Sequence, residues 1–139
     1  MRLRTFLPAV LLAFASGTAT AETLGDVLDK GAKKVSPKEA VEVFATGVLH
    51  GKTSGGGAIE ISYKSDGTWT GSVSGNPFTD ATWRISGDRV CADYWIPAYN
   101  MSRKDVCVYW FRSGNTFYYT TESDSGRDQE VVIRTFVAR

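Results

Sequence analysis

Two aspartates flank the cysteine pair of this 139-residue chain: Asp93 stands two residues after Cys91 and Asp105 two before Cys107. If the cysteines face each other on neighbouring antiparallel strands, paired positions sum to 198 and the two carboxylates become cross-strand neighbours. Paired carboxylates can carry acid–base chemistry or hold a hard cation. The plainer reading is a surface charge cluster neutralised by Arg89, Arg103 or Lys104, and such clusters are common. His50 is the only histidine. A nucleophile needs a base that a third group orients, and no motif around His50 supplies one. A zinc site would draw on several Cys and His ligands, which the chain lacks. Gly51-Lys52-Thr53 matches the end of a phosphate-binding loop, but Thr46 replaces its first glycine and a helix, not a strand, precedes it. Gly71-Ser72-Val73-Ser74-Gly75 has valine where a nucleophile elbow requires serine. Asn100-Met101-Ser102 is a glycosylation sequon. None of these features assembles a catalytic set, so no catalytic residue, metal or cofactor is expected.

The aromatic residues are the stronger signal. Trp83–Tyr119 holds both cysteines, three of the four tryptophans and five of the six tyrosines. Tyr94, Trp95, Tyr99 and Met101 surround Ile96-Pro97, and Tyr109, Phe111 and Tyr118 share one strand face in the register set by the cysteines. Exposed aromatic patches mark partner or ligand sites. The plainer reading is that the same rings are core residues or the dock of the helix that starts at Ser36. The candidate binding residues are Tyr94, Trp95, Tyr99, Met101 and Tyr109.

The elements that must position them are mostly strands. Ser36–Leu49 is the one clear helix. Ser36 suits the N-cap, Pro37 the first turn and Glu39 the capping box, while Val41, Phe44, Ala45 and Val48 form one apolar stripe. Gly47 or Gly51 can end it. From Gly51 the period becomes two. Ile59, Ile61 and Tyr63 alternate with Glu60, Ser62 and Lys64, and Asp66-Gly67 signals a hairpin. Strands follow at 67–74, 82–86, 89–95, 105–112, 116–122 and 130–137, with an optional one at 52–55. Seven to eight short strands at close spacing predict a small antiparallel barrel with the helix packed at its side or end. In the cysteine register Val90 faces Val108, Ala92 faces Val106 and Trp110 faces Tyr119 inside, with Phe111 against Tyr118 outside. A one-residue slip would invert these faces.

Arg2 and Arg4, the apolar run Phe6–Ala15 and Ala19-Thr20-Ala21 read as a signal peptide over residues 1–21. Removing Arg2 and Arg4 from the 16 basic residues leaves 14 against 15 acidic, a net charge near −1. There is no dense basic stripe, so nucleic acid is not an expected partner, and no later apolar stretch could span a membrane. Two cysteines in an exported chain predict one disulfide, Cys91–Cys107. Leu24, Val27 and Leu28 could make one helical turn, but Gly25 and Gly31 weaken it. Residues 22–35 are therefore expected to be a poorly ordered lead-in to a single domain over 36–139.

Trp83-Arg84-Ile85, Gly87-Asp88-Arg89-Val90-Cys91, and Cys107 with Arg112 and Gly114 behind it resemble a pattern in small exported proteobacterial proteins without known activity. The helix and the Gly51-Lys52-Thr53 step ahead of the strands fit the same pattern, over roughly 36–119. The resemblance implies a lipocalin-like barrel and names no catalytic residue. Ser113-Gly114-Asn115-Thr116-Phe117-Tyr118 is similar to the serine-glycine-x-x-tyrosine loop of periplasmic lysozyme inhibitors, with one extra residue before the tyrosine. The sequence thus points to an exported binding module for a small apolar ligand or a protein partner. An inhibitor of a cell-wall lytic enzyme is the alternative, and a hydrolase the second alternative.

Overall fold

The computed structural model describes residues 21–139; the signal-peptide reading lies almost wholly outside them. The chain forms a nearly closed antiparallel barrel. In order, the elements are helix α1 (Leu24–Asp29), strand β1 (Lys33–Val35), helix α2 (Pro37–Phe44), and strands β2 (Gly47–Lys52), β3 (Ala58–Tyr63), β4 (Trp69–Val73), β5 (Asn76–Pro77), β6 (Thr79–Ser86) and β7 (Arg89–Ile96). A short 3₁₀ turn, Pro97–Tyr99, leads into β8 (Met101–Ser113), β9 (Thr116–Thr120) and β10 (Val132–Ala138). Nine strands run β5-β4-β3-β2-β10-β9-β8-β7-β6 around the sheet, rather than the expected seven to eight, and β1 adds to β8.

The seam between β4 and β6 is closed without a full ladder. Trp83 N donates to Gly67 O at 2.8 Å. The Trp69 indole donates to Thr82 O at 3.1 Å, and the Trp83 indole to Lys64 O at 2.8 Å and Thr68 O at 3.1 Å. Two tryptophan side chains thereby add hydrogen bonds across a seam where the backbone supplies only an isolated bridge, Thr68 to Thr82.

The lead-in is ordered, contrary to the sequence expectation. Thr23 and Asp26 form a reciprocal capping box that starts α1. Gly25 is not a helix weakness here: its bare Cα admits the Arg127 backbone, whose carbonyl would lie 3.1 Å from a Cβ. Leu24 and Val27 are buried with Ala32, Phe111 and Val131 in a second core outside the barrel. β1 then pairs Lys33–Val35 with Arg112–Trp110 of β8, starting two residues beyond Val108, the last β8 residue that pairs with β7. It covers a strand edge that would otherwise be open to another chain. Lys34 ties the segment down by donating to Asp88 at 3.1 Å and Asp124 at 2.6 Å.

α2 is capped by Ser36 as expected, but it ends at Phe44 rather than Leu49. Val48 therefore belongs to β2, not to the helix stripe. The chain is already a strand at Gly47, where a Cβ would meet Val137 O at 2.2 Å and the Phe136 ring at 2.6 Å. Close packing against β10 thus fixes the helix end. Ala40, Val41 and Phe44 enter the main core beside Leu49, Tyr63, Trp69, Trp110, Phe117 and Phe136. The helix plugs the barrel instead of lying on its outer wall.

Candidate functional site

The stapled hairpin sets the geometry of the interior. Cys91 pairs with Cys107, with Cα atoms 3.9 Å apart and a disulfide between them. Val90 opposes Val108, Ala92 opposes Val106, and across β8–β9 Trp110 opposes Tyr119 and Phe111 opposes Tyr118, all in the expected register. Two irregularities interrupt it. Asp105 (φ 54°) sits in a bulge between the Ala92 and Tyr94 pairings, and Asp80 (φ 50°) in one between the Thr79 and Thr82 pairings. Both β6 and β8 thus carry an extra residue opposite the Asp93–Tyr94 step of β7, which bends the wall there.

Asp93 and Asp105 do meet, but as an ion-pair cluster. Asp105 N donates to Asp93 Oδ1 at 2.7 Å, and Arg84 pairs with both carboxylates, reaching Asp93 Oδ2 at 3.5 Å. The residue that forms the ion pairs is Arg84, with Lys104 adding a weaker attraction from nearby, rather than Arg89 or Arg103. The Asp105 amide, and then the Arg84 charge, hold the Asp93 carboxyl below the usual value of 3.8. A folded-state value below the unfolded one stabilises the fold at pH above the unfolded value. That contribution disappears as pH falls through the folded value. Asp26, Asp66 and Asp124 are lowered in the same direction by hydrogen bonds from Thr23, Thr68 and Lys34. The melting temperature is therefore expected to fall as pH drops below about 4. An Asp93→Asn variant should show a shallower fall, and an identical profile would remove Asp93 from this account.

His50 lies on the outward face of β2, its Nδ1 3.7 Å from Glu60 Oε1 on β3. Thr53 closes a short loop, its amide donating to Gly57 O at 2.8 Å and its hydroxyl accepting from Gly57 N at 2.9 Å. Val73 is buried in β4. Among the described residues no cluster of three His, Cys, Asp or Glu side chains could hold a metal ion.

The five candidate aromatic and Met positions separate. Tyr99 and Met101 are exposed at the hairpin tip, at 48% and 37%. The Tyr99 hydroxyl accepts from Asn76 Nδ2 at 3.0 Å, while Trp95 is half-buried over an open outer groove shared with Asp80 and Arg103. Tyr109 is half-buried against the second core, with Lys34 and Arg89 each 6.0 Å from its ring centre. Phe111 is fully covered there. The outer face of β8 is thus the dock of the Leu24 helix, not of the Ser36 helix.

Tyr94 turns inward. Its ring packs edge-on to Trp69 at 5.5 Å and to Phe78 at 5.2 Å. These three line a cavity of about 140 Å³ inside the barrel, with Leu49, Ile59, Ile61, Tyr63, Val90, Ala92, Val106, Val108, Trp110, Tyr119 and Arg134 completing its wall. Burial pushes the Tyr63 and Tyr94 phenols upward, while the Arg134 charge opposes the shift at both. Arg134 is a cavity residue that no sequence motif marks. No protein-family model, no curated protein and no solved structure matches the chain.

Proposed function

We propose that this chain is an exported, non-enzymatic binding module that takes a small apolar ligand into its barrel. The observation that carries the reading is the interior cavity, walled by aliphatic and aromatic side chains with few polar groups among them, the composition of small-molecule sites in general. Its volume suits a compact ligand: a protein cavity of about 150 Å³ takes one benzene ring. Export is supported by the leader-like N-terminus and by the disulfide. Membership of the small exported barrel group remains part of this proposal, supported by the shared barrel and cysteine staple. The inhibitor alternative rests on Ser113–Thr116, which is a tight two-residue turn with Gly114 at φ 58°. A turn this short offers little length to insert into a cleft, so it supports an inhibitory loop less well than the cavity supports a ligand.

The proposal is tested by filling the cavity. Ala92 lines it, and Ala92→Leu adds bulk there without altering charge. Titration of benzyl alcohol into the oxidised protein should show binding that this variant weakens by about tenfold or more, a loss of about 1.4 kcal/mol. Unchanged affinity in a folded Ala92→Leu protein would place the ligand outside the barrel.

A further inference from the structure

Arg134 is the one charged side chain in the cavity wall, and it is only 7% exposed. A buried cation is costly unless paired. None of the ion pairs among the described residues includes Arg134. Its Nη1 donates to the Ile133 carbonyl at 3.0 Å, and its guanidinium carbon lies 5.4 Å from the Tyr119 ring centre. A guanidinium carries five N–H donors, so one carbonyl leaves most of its capacity unused.

The surroundings make room for it. Gly51 of β2 would place a Cβ 2.6 Å from Arg134 Nη1 and 2.8 Å from its Cδ. Glycine inside a strand ordinarily weakens it and marks a close approach. Here the close approach is the guanidinium. A cavity with one under-used cationic donor group and an apolar wall calls for a ligand that brings acceptors on an apolar body.

We infer that the cavity binds a small monocarboxylic acid as its anion, with the carboxylate against the Arg134 guanidinium and a body of about one ring or a short alkyl chain among the apolar walls. The inference rests on the ligand-binding reading above and names its chemical class. Carboxylate matches the planar fork of arginine, and charge-assisted bonds of this kind are among the strongest available. An inorganic anion would leave the aliphatic and aromatic wall without a partner.

The test compares benzoate, hexanoate and neutral benzyl alcohol by calorimetric titration of the oxidised protein at neutral pH. At least one of the two acids should bind about tenfold or more tightly than the alcohol. Arg134→Met should bring that ratio down to about one. Gly51→Ala keeps the arginine but crowds it, and should lower the same ratio severalfold; it decides the matter if Arg134→Met does not fold. Equal affinity for acids and alcohol in the unaltered protein, or a ratio unmoved by the substitutions, would overturn the acid assignment and leave the apolar cavity reading standing. No binding of any of the three would overturn both.

Discussion

Replacing Phe44 with alanine is expected to lower the melting temperature by roughly 10–20 °C. The ring is 1% exposed and sits between Tyr63, Trp110 and Phe117, with centroid distances of 5.3, 4.8 and 4.9 Å. Removing a fully buried phenylalanine costs about 3–5 kcal/mol, as lost transfer energy plus the void left behind. In a domain of this size each kcal/mol is worth about 3–5 °C. Tyr63 and Trp110 also line the interior cavity, so the new void would adjoin it. The variant that weakens the fold should therefore also admit a larger apolar ligand. Thermal unfolding followed by circular dichroism checks the first effect. A transition within 2 °C of the parent would say that α2 does not plug the barrel.

Loss of the disulfide is expected to have the next largest effect. Cys91 and Cys107 are 16 residues apart, and closing a loop of that length is worth roughly 3 kcal/mol by its restriction of the unfolded chain. The alanine pair Cys91→Ala, Cys107→Ala should melt about 10 °C lower. Reductant should produce the same fall in the parent and none in the variant. The staple also joins β7 and β8 beside the Asp105 bulge, so it steadies the wall that carries Ala92, Tyr94 and Val106 into the cavity. Equal melting temperatures for oxidised, reduced and substituted protein would show that strand pairing alone holds this hairpin.

How far the site could be read from the sequence depended on what pinned the register. The cysteines fix one strand pair, and from that pair the inward positions of Val90, Ala92, Val108 and Trp110 follow by alternation. The bulges carried no such signal. Asp80 and Asp105 hold left-handed conformations that aspartate tolerates better than most residues, but aspartate is also ordinary on a strand surface. They shift the pairing at the tip of the hairpin but leave the alternation along β7 intact, so Tyr94 faces inward with Val90 and Ala92, as the cysteine register already implies.

Glycine's low helix propensity does not distinguish the two glycines of the 22–35 segment. Gly31 does terminate α1, at φ 102°, but Gly25 serves a close approach to Arg127 from a distant part of the chain. Arg134 was hidden by alternation itself. Along 131–137 the apolar residues Val131, Ile133 and Val137 fall on the face opposite Arg134, so pattern alone would turn the arginine outward. The fold does the reverse. Phe136 enters the core, Arg134 follows it by the two-residue period, and Ile133 is left 43% exposed.

If a small ligand sits inside the barrel, intermolecular NOEs from benzoate ring protons will show it most directly. The described geometry predicts contacts to the methyl groups of Leu49, Ile61, Val106 and Val108, which line the cavity. Contacts confined to Ile85, Met101, Ile133 and Val137, which are exposed on the outside, would contradict it.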